Sequence, residues 1–225
     1  MKLAVITPCL YPSQERIHLL LESAYRNNVK LIPYGVGCQF VDWKNMMMEH
    51  TIPAMMRRER EGCTHVLYVD GIDSIFVSGI EEIVAKYERL GSPSCLMSGD
   101  PDRPHFNTFG FLGRKPWAYL NAGGFIGKIS HFVPIAEFLA QKYSDDADYQ
   151  NWFIREWPIE GFSLDYDCSI FQSMNGEPYL RPIGNRLFNA VTGTVPSILH
   201  FRGGYCDPET GRESRIIPVL KEMNL

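Results

Sequence analysis

The sequence lacks the features that mark disulfide-rich, membrane-spanning and polyanion-binding proteins. Its six cysteines form no CxxC pair and no zinc-ligand spacing, and 225 residues are too many to need disulfide staples. No apolar stretch approaches the ~20 residues of a membrane span. The formal net charge of -4 gives no overall basic character. With no repeat, low-complexity tract or Gly/Ser linker, the chain is predicted to fold around one apolar core that holds reduced thiols.

The N-terminal run MKLAVITPCLYP lacks two further patterns. Its apolar part ends at Pro8, too soon for a secretory leader, and is predicted to form a first strand. The turn that follows, TPCLYPSQER, has no glycine-rich phosphate-binding loop, which counts against a nucleotidyltransferase. The last residues, KEMNL, are not an endoplasmic-reticulum retention signal. A cytoplasmic location is therefore expected.

The first hundred residues alternate between strand and helix patterns. Strands are predicted at 3–7, 30–34, 64–69 and 94–97, and helices at 14–28, 42–61 and 79–90. Ser13 and Asp42 stand where helix N-caps are needed, and Gly62 stands where the second helix should end. This order indicates a parallel, doubly wound sheet that binds ligands at the carboxyl ends of its strands.

The second half has a different character. Residues 100–117 are rich in Pro, Gly, Phe and Asn and are predicted to form a long ordered loop. Helices are predicted at 131–143 and 146–156, and shorter strands near 163–171, 179–183 and 197–201. We therefore expect one α/β domain over 1–225, with a nucleotide-binding half (1–100) and a mixed-sheet sugar and acceptor half (101–225).

Two acidic residues follow the third predicted strand in the run HVLYVDGIDSIF, residues 65–76. The strand delivers Asp70 to the carboxyl edge of the sheet, and Gly71 permits a sharp turn that returns Asp73 to its side. Two converging carboxylates form a hard-oxygen site suited to Mg2+ or Mn2+, and a dication there offsets the charge of a departing diphosphate. The alternative is an ordinary Asp-Gly turn with Asp73 as a local cap.

Two glycine-containing runs add candidate ligands. In YLNAGGFIG, residues 119–127, Gly123 and Gly124 let the backbone approach a ligand, and Asn121 offers a donor and an acceptor. In PSILHFRGG, residues 196–204, His200 can bind a metal through a neutral ring nitrogen, and Arg202 can meet phosphate. The alternatives are a tight turn between strands and a structural histidine.

Two acidic runs complete the candidates. If LDYDCSIFQSMNG (residues 164–176) is extended, Asp165 and Asp167 share one face and, with Gln172 nearby, suit sugar hydroxyls. In SDDADYQNWF (residues 144–153), Asp146 and Asp148 suit an acceptor hydroxyl or the sugar. The alternatives are a half-exposed strand with a polar outer face and helix capping.

Taken in order, these runs resemble the glycosyltransferase domain of the lysyl hydroxylase and procollagen glucosyltransferase family. VDGIDSIFVSGIEEI is similar to the family's D-x-x-D strand, turn and helix, and YLNAGGFIG is nearly its YLNSGGFIG. LDYDCSIFQSMNG is similar to its LDHKCxIFQxLNG, and together the matches cover most of the chain. The resemblance implies a GT-A-type fold, with a Rossmann-like nucleotide-binding half, and a Mn2+-dependent enzyme that uses UDP-sugars.

The resemblance also implies roles for single residues. Asp70, Asp73 and His200 match the family's metal ligands. Ile72 stands between the two aspartates, where the family commonly has an aromatic residue that can stack on the base. The remaining matches, to positions near the nucleotide or the sugar, are Thr7, Lys44, Asn121, Gly123, Gly124, Asp165 and Gln172.

We therefore expect a metal-dependent enzyme that moves a hexose from a UDP-sugar to a hydroxyl acceptor. Asp165, Asp148 or Asp146 would position the sugar or acceptor, and one of them would serve as base if the reaction inverts. Arg202 or Lys44 would stabilise the departing nucleotide.

Two functions from other classes stay open. One is a sugar-nucleotide nucleotidyltransferase, and the other is a catalytically inactive module that binds nucleotide sugars. The acceptor is also open. Because the sequence shows neither a signal peptide nor a hydroxylase domain, collagen is not expected, and a glycan, a protein, a small molecule or a hydroxymethylated base in viral DNA stay as alternatives.

Overall fold

The computed structural model describes residues 1–100, 117, 119–143, 156, 159–174 and 180–201. The central strands are β1 (Leu3–Pro8), β2 (Leu31–Tyr34), β3 (His65–Val69), β5 (Cys95–Asp100), β6 (Tyr119–Lys128) and β7 (Phe162–Asp165). They form one six-stranded sheet in the order β2-β1-β3-β6-β5-β7. The candidates Asp146, Asp148 and Arg202, most of the predicted loop at 100–117 and nearly all of the predicted helix at 146–156 lie outside the described residues.

Two smaller sheets accompany the central one. The first contains β4 (Ser74–Phe76), β8 (Phe171–Ser173) and β11 (Ile198–His200), and the second pairs β9 (Leu180–Ile183) with β10 (Arg186–Asn189). In the first, β11 lies in the middle, antiparallel to β4 and parallel to β8. This three-stranded sheet joins the segment that follows β3 to the C-terminal part of the described chain.

The four strands predicted in the first half are confirmed and run in the same direction. Val5 of β1 pairs in parallel with Leu31 on one side and with Leu67 on the other. The sheet is nevertheless mixed, because β6 lies antiparallel between β3 and β5. The alternative reading of YLNAGGFIG as a tight turn between strands is wrong, because the run forms β6. The run lies in a strand because two flanking ladders stabilise it, which overrides the weak strand preference of its glycines.

The helices also follow the predicted pattern. They are α1 (His18–Arg26), α2 (Trp43–Asn45), α3 (Ile52–Arg60), α4 (Ile80–Arg89) and α5 (Ile129–Lys142). A π-helical turn, Met46–Thr51, joins α2 and α3 into the one long helix that was predicted. Asp42 Oδ1 accepts a hydrogen bond from the Asn45 N–H (2.7 Å) at the start of α2. Ser13 accepts from the Glu15 N–H (3.4 Å) and caps a 3-10 turn, Gln14–Ile17, that leads directly into α1, so both predicted caps are confirmed.

The core lies on both faces of the central sheet, as alternation along its strands requires. Ile6 and Tyr68 face a cluster that includes Met55 of α3 and Phe132 of α5. Val5 and Leu67 face the opposite cluster, which contains Leu20 of α1 and Ile83 of α4. Among the described helices, none combines the length and apolarity that crossing a bilayer requires.

One predicted strand is interrupted. The run at 163–171 was expected to be extended, with Asp165 and Asp167 on one outer face. The structure instead ends β7 at Asp165, turns through residues 166–170 and resumes as β8, with Cys168 at φ +50°. Asp165 is buried and Asp167 is exposed, so the two carboxylates do not share a face.

Candidate metal centre

The candidate metal centre lies where the strand order reverses. β1 and β3 are neighbours in the central sheet, but the chain proceeds from β1 to β2 on one side and from β3 towards β5 on the other. Connections that leave in opposite directions open a crevice at the carboxyl ends of two adjacent strands. Thr7 stands near the end of β1, and Asp70 directly follows β3.

The Asp70–Asp73 turn is held tightly at that edge. The Asp70 N–H donates to the Gly123 carbonyl (2.8 Å), and Asp70 Oδ1 accepts from the Gly71 N–H (2.8 Å). A Cβ on Gly71 would stand 2.3 Å from the Pro8 carbonyl oxygen and 3.2 Å from Thr7 Oγ1. Only glycine therefore lets the turn lie this close to the end of β1. The turn itself leads into β4, where Asp73 immediately precedes Ser74.

His200 reaches the aspartates through strand pairing. It ends β11, opposite Ser74 of β4 and Ser173 of β8, and its carbonyl accepts from the Met174 N–H (2.7 Å). Its ring Nε2 lies 3.2 Å from Asp73 Oδ1. One ligand atom each from Asp70, Asp73 and His200 all lie within 4.8 Å of one another. The structure thus brings together residues that are about 130 positions apart in the sequence.

Gly123 makes room for the His200 ring. A Cβ at Gly123 would stand 2.1 Å from His200 Cε1 and 2.5 Å from Nε2. The register between β5 and β6 also shifts here, from Met97 opposite Phe125 to Ser98 opposite Asn121. The Asp70 N–H bond to the Gly123 carbonyl extends the β3–β6 pairing past Val69, so the irregularity between β5 and β6 lies directly beside the site, where bulges are common. A Cβ at Gly124 would instead meet the ring of Phe171 in the core, so the two adjacent glycines make room for different rings on opposite faces of β6.

The charges of the site act on His200. Burial disfavours its protonated form, but Asp73, with smaller effects from Asp70 and Asp100, outweighs burial and raises the pKa of His200 to about 9. Its other ring nitrogen, Nδ1, is buried and has no hydrogen-bond partner within the described part of the chain. The cluster is therefore an acidic pocket whose imidazole carries an unsatisfied nitrogen.

These groups fit a divalent cation. Two carboxylates and an imidazole suit Mn2+, whose ligands are commonly carboxylate oxygen and imidazole nitrogen, and the carboxylates suit Mg2+. A cation would satisfy the acceptors that now surround a buried histidine.

A buried polar network borders the centre. Asn121 Nδ2 and Ser173 Oγ both donate to Asp100 Oδ2 (3.0 Å each), while Asn121 Oδ1 accepts from the Gly123 N–H (2.8 Å). The network therefore fixes the glycine that faces His200. Sequence reasoning missed Asp100 and Ser173, although the position of Asp100 at the carboxyl end of a predicted strand was a usable signal.

Gln172 and Asp165 have structural partners. Gln172 is fully buried, and its Oε1 accepts from Asn189 Nδ2 (2.9 Å). Asp165 accepts from the N–H groups of Ser169, Ile170 and Phe171 at 2.7–2.9 Å, although burial raises its pKa. These bonds form the turn between β7 and β8. Both Asp165 oxygens are thus occupied, and the residue is 1% exposed, so Asp165 anchors that turn.

The remaining nucleotide candidates occupy different positions. Thr7 is buried beside Gly71, and its Oγ1 has no hydrogen-bond partner among the described residues. Ile72 is half-buried within the turn between the two aspartates. Lys44 is exposed on the short helix α2, which follows the loop after β2. The structure thus places Thr7 and Ile72 at the crevice and Lys44 on a neighbouring helix.

The mixed sheet and its topology define a glycosyltransferase-like fold of GT-A type. A solved structure described as "a glycosyltransferase involved in the glycosylation of the major capsid of PBCV-1" matches with a TM-score of 0.54. The match covers 90% of this chain and 94% of that chain, at 8% sequence identity. The similarity confirms the predicted fold class.

The sequence matches the PLOD GT domain over residues 41–205, and the chain belongs to this glycosyltransferase family. It is 27% identical over 195 residues to procollagen-lysine,2-oxoglutarate 5-dioxygenase 2 of Homo sapiens, covering 78% of this chain. It is 30% identical over 152 residues to procollagen-lysine,2-oxoglutarate 5-dioxygenase 1 of Rattus norvegicus, covering 61% of this chain. The chain spans 25% and 20% of the length of these two relatives.

Proposed function

We propose that this chain is a divalent-metal-dependent glycosyltransferase that moves a hexose from a UDP-sugar to a hydroxyl acceptor. The observation that carries the proposal is the convergence of Asp70, Asp73 and His200 within 4.8 Å at the switch point of the sheet. That is the edge at which open α/β sheets bind nucleotides. Membership of a glycosyltransferase family supports the transfer of a sugar, while the metal, UDP and hexose are parts of the proposal.

Asp70, Asp73 and His200 would hold Mn2+ or Mg2+. The bound cation would supply Lewis-acid stabilisation of the charge that develops on the departing diphosphate. The residues of the chain orient this centre: the Gly123 carbonyl fixes the Asp70 backbone, and β4 and β8 fix His200 on either side. Thr7 Oγ1, a buried hydroxyl without a partner among the described residues, is suited to a polar atom of the donor.

We propose fewer candidates for the residue that positions the sugar or acceptor than the sequence suggested. Asp165 anchors a turn, so the proposed base or acceptor-positioning residue is Asp146 or Asp148. Asp146→Asn and Asp148→Asn, tested separately, should identify the base. The variant that lacks the essential carboxylate should lose sugar transfer but keep its affinity for Mn2+ and UDP. Arg202 is proposed to contact the diphosphate, and Arg202→Lys should weaken UDP binding because a bidentate contact is lost.

The central experiment measures UDP release from a panel of UDP-hexoses with Mn2+ supplied. Asp70→Ala and Asp73→Ala should abolish release, whereas Glu59→Ala should not, because Glu59 is an exposed acid on α3. Full activity in both aspartate variants would contradict the assignment of Asp70 and Asp73 as metal ligands. Tight Mn2+-dependent UDP-sugar binding without hydrolysis or transfer would instead favour an inactive binding module.

The acceptor is tested by mass spectrometry of products formed from a mixed panel. The panel contains glycans, hydroxylysine peptides, small hydroxyl compounds and DNA that carries hydroxymethylated bases. Hydroxylysine is included because the curated relatives are named for procollagen-lysine. A hexose mass shift on one class alone identifies the acceptor. In a separate assay supplied with UTP and a hexose 1-phosphate, formation of a UDP-hexose with release of pyrophosphate would instead identify a nucleotidyltransferase.

A further inference from the structure

The segment after β1 forms one wall of the crevice beside the metal centre. The Cys9 N–H donates to the Tyr34 carbonyl, and the Gly37 N–H donates to the Tyr11 carbonyl, at 2.8 Å each. The Leu10 side chain is buried where a Cβ on Gly35 would stand 2.4 Å from it. Residues 9–11 are therefore held against the end of β2 and the loop that follows it by two backbone hydrogen bonds and by the packing of Leu10.

The same segment abuts the turn that carries the aspartates. A Cβ on Gly71 would stand 3.0 Å from Ile17 Cγ2 as well as against Pro8. Residues before and after Tyr11 thus both contact the Asp70–Gly71 corner. Burial and the neighbouring carboxylate of Asp70 raise the pKa of the Tyr11 phenol, which is consistent with this closeness.

Tyr11 itself presents an aromatic ring at this wall. The ring is partly exposed, and the Arg16 guanidinium lies over it, 5.5 Å from the ring centroid. An arginine over an aromatic face is a stabilising cation–π contact and restricts the ring. The Asp70–Asp73 turn that this segment abuts carries Ile72, which has no aromatic ring.

We propose that Tyr11 is the base-stacking residue of the donor site, with Arg16 holding its ring in place. This inference rests on the proposed function, because it assumes a nucleoside diphosphate bound at Asp70 and Asp73. The ring of a tyrosine that is fixed by its own backbone bond and by Arg16 loses little freedom when a base packs on it. Stacking of this kind accepts the π-face of any base, so Tyr11 contributes affinity and not a choice of base.

The experiment compares the affinities of UDP and inorganic pyrophosphate for the full chain in saturating Mn2+, by calorimetry. The variants are Tyr11→Ala, Tyr11→Phe and the matched control Tyr25→Ala, since Tyr25 is a tyrosine of α1 that is 86% exposed. Tyr11→Ala should weaken UDP binding by a factor of about 5 to about 150, the range expected for loss of one base–aromatic stack. Tyr11→Phe and Tyr25→Ala should bind UDP as the wild type does.

Pyrophosphate separates stacking from damage to the metal centre. It has no base, so its affinity should be unchanged in Tyr11→Ala. Equal weakening of UDP and pyrophosphate would overturn the stacking role. Unchanged UDP affinity in Tyr11→Ala would also overturn it and leave the proposed function standing. A wild-type chain that binds Mn2+ but not UDP would overturn both.

Discussion

Substitution of Gly123 by alanine tests the geometry of the candidate centre most directly. The added Cβ would stand 2.1, 2.5 and 2.6 Å from Cε1, Nε2 and Nδ1 of His200, whereas ordinary contacts begin at 3.4 Å. The imidazole must therefore retreat by roughly 1 Å or more, since Gly123 is pinned by the bonds of its own N–H and carbonyl.

That displacement is large compared with what a metal site tolerates. Metal–ligand distances in plausible sites vary by about 0.2 Å, so a shift several times larger removes His200 as a ligand. Weaker perturbations, of residues that only orient a ligand, already cost about 10–100-fold in metal affinity. We expect Gly123→Ala to lose at least that much Mn2+ affinity. Overpacking should also cost about 1–3 kcal/mol in the free energy of unfolding.

The assay is Mn2+ binding by calorimetry, with urea unfolding measured on the same samples. Gly124→Ala is the matched control, because its Cβ would meet Phe171 at 2.7 Å on the opposite face and leave His200 untouched. It should lose stability but keep Mn2+ affinity while folded. A folded Gly123→Ala protein that binds Mn2+ as tightly as the wild type would refute the assignment of His200.

Three further changes have defined outcomes. Asp165→Ala, which leaves two buried N–H groups and one partly buried N–H group without their acceptor, should lower the free energy of unfolding by ~3 kcal/mol or more in urea titrations, and wild-type stability would contradict its anchoring role. The pKa of His200 is raised from 6.5 to about 9, so the protonated imidazole stabilises the metal-free protein in full below pH 6.5, and this stabilisation is lost as the pH rises through 9. Thermal melts with EDTA at several pH values check this, and His200→Asn should remove this dependence of stability on pH. Hydrogen bonds from Arg186 lower the pKa of Glu82 from 4.5 to about 2, so stability should fall as the pH drops through that window, and Glu82→Gln should remove the dependence.

Local patterns were sufficient for the first half of the fold. β1, β2 and β3 are apolar runs whose alternate side chains fill the two clusters on either face of the sheet, so composition alone marks them. The caps at Ser13 and Asp42 are short-range interactions between residues two or three positions apart. The π-helical turn at Met46–Thr51 left no signal in the sequence, because its side-chain period differs only slightly from that of an α-helix.

Local patterns could not predict β6 or the turn between β7 and β8. The glycines of YLNAGGFIG indicate a turn by local preference, and only ladders with β3 and β5 make the run a strand. Alternation placed Asp165 outward, but the carboxylate instead turns inward to bind three N–H groups of the residues that follow. Its partners are close in sequence, yet an extended strand was an equally regular solution for the same residues.

The Asp70–Asp73 turn at the end of a buried strand could be predicted from its own residues, because a strand, a glycine and two aspartates act over a few positions. The sequence also marked His200 and the paired glycines as candidates through their resemblance to a family. The packing of distant strands, in contrast, places His200 against the bare Cα of Gly123 and beside Asp73, and the Asp165 carboxylate instead accepts from backbone N–H groups. These contacts depend on the pairing of β11 with β4 and of β6 with β3 and β5. Pairings between strands that are far apart in the sequence are set by the packing of the whole sheet and not by any local run.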